Sequence, residues 1–231
     1  MSATPLKLIS SMAARELLRE LATQFENATH RTVTTEAAGG VDVARRIAAG
    51  EDADVVVLSD TAIDKLIAEG KLFAGSRVDL VRSGVAIAVR DAAPRPDIST
   101  EEAVKQAVLA ARSLSFSTGP SGVYLEKLFA RWGILDMIRS RIVVPPPGTP
   151  VGSLVANGGA ELGFQQLSEL MDLPGIQVLG PLPPAIQTLT VFSGGVAVRS
   201  DDAGGARALL AFMNTPATAA TKQRHGMEPA T

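Results

Sequence analysis

The chain has no cysteine, so disulfides and thiolate metal sites are excluded together. Histidine is scarce as well: His30 lies in the polar stretch NATHRT and His225 near the C-terminus, and both read as surface residues. A zinc site or a Ser-His-Asp triad therefore has little to be built from, and no metal is expected. Neither GxxxxGK[ST] nor a spaced GxGxxG occurs, which removes the usual phosphate and dinucleotide loops, and no cofactor is expected. Aromatic residues are 4% of the chain against 46% hydrophobic residues overall, so the core must be aliphatic. There is no basic excess, with 22 Lys and Arg against 24 Asp and Glu, and nucleic acid is not an expected partner. No segment approaches about 18 uninterrupted apolar residues, so membrane insertion is not expected. The first residues, MSATPLKLISSMAARELL, lack a basic stretch followed by a long apolar one. As written the chain reads as cytoplasmic; it reads as periplasmic if a leader once preceded it.

What the chain does have, in 231 residues, is a regular alternation of short aliphatic runs and helical patterns, the signature of an α/β fold with mostly parallel sheets. LKLIS (6–10) reads as a strand, followed by a helix with Leu17, Leu18, Leu21 and Phe25 at helical spacing. TVTTEA (32–37) is a second strand, Gly39 and Gly40 lead into a helix, and DVVVL (54–58) is a third strand, apolar enough to be buried on both faces. Asp60 or Ser59 is placed to cap the next helix. GVAIAVR (84–90) runs into the Pro-rich connector DAAPRPD, and a fresh unit opens with Ser99 and Glu102 at capping-box spacing. FSTGPSGVYLEKLFARWG (116–133) reads as strand end, small polar loop and helix. In that helix the stripe Leu125, Leu128, Phe129, Trp132 is core packing. The Pro145–Pro147 run is a rigid connector. Pro-rich stretches at 94–96 and 181–184 place the boundaries of two lobes, about 1–83 plus 190–231 and 84–189, with a cleft between them. A single doubly wound sheet is the alternative.

These stretches together resemble a known family, the type II periplasmic solute-binding proteins, and within it the molybdate-binding branch. The resemblance rests on LKLISSMAARELLRELATQFENAT, AAGGVDVARRIAAGEDADVVVLSD, GPSGVYLEKLFARWGI and ELGFQQLSEL, and it spans nearly the whole chain. It implies a two-lobed fold that binds a small anion at the hinge through hydroxyls and helix N-terminal amides, with a transporter as partner if the chain is exported. Where the branch presents a serine after each of the first two strands, this chain has Ala13, with Ser10 and Ser11 nearby, and then Gly39, Gly40 and Val41. Gln165 or Gln166 stands near the place of a tyrosine late in the second lobe. The expected ligand is therefore a small anion other than molybdate, such as an organic carboxylate.

Physical chemistry locates the same positions, because ligands of open α/β sheets sit beyond the carboxyl ends of the strands, where helix N-termini offer about half a positive charge and free N–H groups. The residues so placed are Ser10, Ser11, Met12, Arg15, Gly39, Gly40, Val41 and Ser59 in the first lobe. In the second they are Thr118, Ser121, Gly122, Thr149, Gln165 and Gln166. Several have plainer readings: GPSG as a tight turn, Arg15 as a solvated side chain, Asp60 as a helix cap. Glu36 is harder to explain, since strands disfavour acids. Two functions follow. One is a binding protein that closes on a small anion. The other uses the same cleft as an isomerase, resembling the aconitate isomerases of the branch, with Glu36 or Asp60 as the base that moves a proton along a small unsaturated polycarboxylate.

Overall fold

The computed structural model describes residues 4–146 and 148–230. Pro147, the last residue of the triple-proline connector, lies outside them. The chain divides into two units, Met1–Arg82 with Val191–Thr231, and Ser83–Thr190.

In the first unit β1 (Leu6–Ser11) passes through a 3-10 turn into α1 (Arg15–Thr29), β2 (Val33–Ala38) into α2 (Gly40–Ala48), and β3 (Val55–Ser59) into α3 (Asp60–Ala68). β4 (Val78–Arg90) starts in this unit and ends in the second. β1 lies between β2 and β3, parallel to both, with Leu8 opposite Thr35 and Val55. Because side chains alternate across a strand, Leu6, Leu8, Val55 and Val57 face one way and Ile9, Val56 and Leu58 the other. The first set packs with Leu17, Leu18, Leu21 and Phe25 of α1. The second packs with Val43, Ile47, Ile63 and Leu66 of α2 and α3. Burial on both faces explains why DVVVL carries no polar alternation.

The second unit continues with α4 (Glu101–Ala110), β5 (Leu114–Phe116), α5 (Pro120–Arg131), α6 (Leu135–Ile138), α7 (Val151–Ala156), β6 (Leu162–Gln166), α8 (Leu167–Leu170) and β7 (Ile176–Pro181). β5 and β6 are parallel, whereas β4 runs antiparallel to both β6 and β7. The sheet is thus mixed, because β4 enters it as a continuous 13-residue strand without a helical crossover. Its core gathers Val85, Ile87, Phe116, Leu125, Leu128, Phe129 and Phe164, with the Phe129 ring 6.0 Å from that of Phe164. Trp132 is only partly buried at the core's margin, where its indole N–H donates to Glu101. α4 begins one residue later than the capping-box spacing suggests: Thr100 is its N-cap, and the Thr100 hydroxyl accepts the Ala103 N–H at 3.1 Å.

The chain then returns through β8 (Leu189–Val196), which lies antiparallel to β3. α9 (Ala203–Met213), α10 (Ala219–Arg224) and β9 (Glu228–Pro229) complete the first unit, where Leu209, Leu210 and Met213 of α9 join the α1 face of the core.

Candidate functional site

In the first unit the three parallel strands end side by side, and each hands over to a helix. Ser11 before the 3-10 turn, Gly39 before α2 and Ser59 before α3 make no side-chain capping bond, and the N-cap of α1 itself is Ala14. Helix N-termini without a cap leave N–H donors and a partial positive charge free for an anion. The Ser10 hydroxyl is spent, donating to the Ser11 carbonyl at 3.2 Å. Ser11 is only 7% exposed and its Oγ has no partner among the described residues. Its Cβ lies 3.5 Å from where a Cβ on Gly40 would stand, which sets the Ser11 side chain at the mouth of α2.

Gly39 has an ordinary φ of -57°, and a Cβ added to it meets nothing within 4 Å. Neither backbone strain nor packing demands glycine there. Its effect is to leave the backbone at the start of α2 bare. Val41, in the first turn of that helix, is 66% exposed, which is unusual for so apolar a side chain.

The charged candidates are more occupied. Met12 opens the 3-10 turn, and Arg15 follows at the head of α1, where it pairs with Glu16 at 2.8 Å. Arg15 also borders a pocket of about 150 Å³ shared with Ser10, Arg19, Thr35, Glu36 and Ala37. Glu36 is ion-paired with Arg46 of α2, which also holds Glu51 at 2.5 Å. An acid on a strand is thereby explained by a guanidinium across from it. Asp60 accepts the Thr61 N–H on Oδ1 at 2.7 Å, while Oδ2 lies 4.0 Å from the Arg77 guanidinium. Ser59 and Thr61 have their hydroxyls 3.3 Å apart.

In the second unit the loop after β5 is held together from within. The Gly119 N–H donates to Ser117 Oγ at 3.3 Å, and the buried Ser121 has its hydroxyl 3.4 Å from the same oxygen. Thr118 is exposed beside them. A methyl group on Gly122 would overlap the Ser117 carbonyl oxygen, so the glycine is required by the fold of the loop itself. That close approach accounts for Gly122 without a ligand contact. Thr149 is half-buried and donates its N–H to the Pro146 carbonyl.

The two glutamines ending β6 differ. Gln165 is fully engaged: its Oε1 accepts the Val151 N–H at 3.1 Å and its Nε2 donates to Glu169 at 2.7 Å. Gln166 donates Nε2 to the Thr190 hydroxyl at 2.8 Å, and its Oε1 has no partner among the described residues. Thr190 carried no sequence signal because it matters through Gln166, a residue of another strand; Arg77 and its carboxylates Asp60, Asp64 and Asp79 are close in the chain and match no motif. Among the described residues no cluster of three or more His, Cys, Asp or Glu is arranged to hold a metal, and no helix is long and apolar enough to cross a membrane.

A two-unit α/β chain with uncapped helix N-termini at its strand ends is the architecture of a solute-binding protein. Residues 6–228 match the model of one such family, and the chain belongs to the bacterial extracellular solute-binding proteins. It is 39% identical to an aconitate isomerase from a Pseudomonas species over 98% of this chain and 88% of that one. In three dimensions it is similar to the periplasmic molybdate-binding protein of Azotobacter vinelandii, with a TM-score of 0.82, 21% identity, and coverage of 98% of this chain and 100% of that one. It is similar too to a sulfate-binding protein of Mycobacterium tuberculosis, with a TM-score of 0.79, 15% identity, and coverage of 99% and 88% respectively. At these identities the solved structures speak for the fold alone.

Proposed function

We propose that this protein binds a small unsaturated polycarboxylate and isomerises it by an allylic proton shift of the aconitate class. The observation that carries the reading is the 39% identity along almost the whole chain to an aconitate isomerase, well above the 21% shared with the molybdate binder. The bare amides at Gly39 and Gly40 and the buried Ser11 hydroxyl supply donors for carboxylates without a buried lysine. In the second unit, taken by itself, Thr118, Ser121 and Gln166 offer polar groups of the same kind.

Asp60 is the base. One oxygen of Glu36 is held in a close ion pair with Arg46, whereas the guanidinium nearest Asp60 Oδ2, that of Arg77, stands 4.0 Å away. Asp60 takes a proton from the carbon flanking the double bond. The electron pair of that C–H bond becomes the new double bond, the old one shifts its electrons to the far carbon, and the proton is delivered there. Charge that develops on the adjacent carboxylate is stabilised by the helix N-termini facing it.

The test is proton NMR of cis-aconitate with the protein in deuterated water. Conversion to the trans isomer with deuterium uptake is the expected result. Asp60→Asn should lower the rate about 10²–10⁴-fold while ligand binding persists. The family match favours a second reading, a solute-binding protein that carries the same anion to a transport partner at the cell exterior. Binding of aconitate without any deuterium uptake would establish that reading instead.

A further inference from the structure

The contrast between the two glutamines carries further than either side chain alone. Both are 3% exposed, both end the same strand, and adjacent residues of a strand point to opposite faces. Gln165 spends its amide on the fold, joining the start of α7 to α8. Gln166 is bonded at one end only, and its other end is a carbonyl oxygen closed to water and without a partner among the described residues. An orphaned buried acceptor costs about 1–3 kcal/mol, so it calls for a reason.

Thr190 supplies one. A hydroxyl both donates and accepts, so the Gln166 amide satisfies Thr190 in either of two orientations. With Nε2 toward Thr190, the amide presents a single acceptor at its free end, which suits a hydroxyl or a protonated carboxyl. Turned over, Oε1 accepts the Thr190 hydroxyl proton and the free end presents two N–H donors, which suit a carboxylate. The residues that follow Gln166, namely Leu167, Ser168 and Glu169, are each half-buried.

We infer that Gln166, its amide turned by Thr190, is the specificity-determining group that receives one carboxylate of the ligand, and that Gln165 has no such role. The inference rests on the polycarboxylate reading above. When the ligand binds, the amide faces it with its donors, and the orphaned acceptor disappears into the Thr190 bond.

Calorimetric titration of trans-aconitate and citrate into the parental protein and into Gln166→Leu, Thr190→Val and Gln165→Leu tests it. Loss of a hydrogen bond to a charged group predicts affinity about tenfold or more weaker for Gln166→Leu. The isosteric Thr190→Val frees the amide to turn and should give a smaller loss, whereas Gln165→Leu should lower the melting temperature and leave the affinity of the folded protein unchanged. The side-chain NH2 resonances of Gln166, assigned by their disappearance in Gln166→Leu, should shift on adding trans-aconitate. If Gln166→Leu fails to fold, Thr190→Val decides, together with these resonances assigned instead by through-bond experiments on the parental protein. Parental binding with unchanged affinity in the Gln166 and Thr190 variants, or with unmoved NH2 resonances, overturns the inference and leaves the polycarboxylate reading standing. A parental protein that binds neither compound overturns both.

Discussion

Gly122 separates the needs of a loop from those of a ligand. A small residue in GPSG invites the thought that something approaches its backbone, and something does: the Ser117 carbonyl of the same loop. Gly122→Ala should therefore destabilise the protein at the upper end of the roughly 1–3 kcal/mol typical of overpacking, seen as a lower urea midpoint with or without ligand. Lys222 poses a different problem at the same scale. It is buried, its ammonium donates to the Leu80 carbonyl at 2.9 Å, and burial holds its pKa below the ordinary lysine value. The unfolded chain therefore binds this proton more tightly than the folded one, and stability gains as pH rises from the lowered folded value toward 10.5. Lys222→Met removes that dependence. The parental protein should gain stability relative to the variant as pH is raised toward 10.5, measured by urea unfolding across the alkaline range. The Leu80 carbonyl keeps a second donor, the Ala230 N–H, so the substitution does not orphan it.

At the scale of elements, Arg77 ties strands and a helix that the sequence places far apart. Its guanidinium meets Asp64 of α3 at 2.6 Å and Asp79 of β4 at 2.8 Å, and Asp79 accepts the Ser193 hydroxyl of β8 at 2.6 Å. Hydrogen bonding from Arg77, then from Ser193, holds the Asp79 carboxyl below its usual range although burial opposes it. A carboxyl whose folded pKa is lowered contributes stability above its unfolded value and loses it as pH falls through the folded one. Arg77→Met should flatten that acid dependence, so the urea midpoints of variant and parental protein converge as pH drops below about 4. No sequence pattern marks the link from Arg77 through Asp79 to Ser193, since β4 and β8 are joined only by lying in the same sheet. The elements themselves were far more legible. β1, α1, β3 and α5 are readable from period alone, because each buries a continuous apolar face. The loops at their ends were legible as positions and not as roles. Gly39 and Gly122 look alike in sequence, yet the first stands in open space and the second against a carbonyl. Gln165 and Gln166 are chemically identical neighbours, and only their partners distinguish them.

For the molecule as a whole, the chain is divided into a continuous unit, Ser83–Thr190, and a discontinuous one assembled from both ends. The core against α1 draws Leu6, Leu8, Leu17 and Leu21 from the start of the chain and Phe192, Val196, Leu209 and Met213 from its end. β3, the apolar strand that sequence marks most clearly, has β8 as its second neighbour in the sheet. During synthesis, then, the inner unit has every residue it needs while the outer one is still missing most of β8 and all of α9, α10 and β9. Domains fold as units, in the order in which they emerge. Here that order is inverted for the outer unit. Its first strands leave the ribosome earliest and must wait, with aliphatic surface uncovered, until the last tens of residues arrive. The protein's most vulnerable moment therefore falls before it is complete, when a folded middle is already flanked by an unfinished beginning.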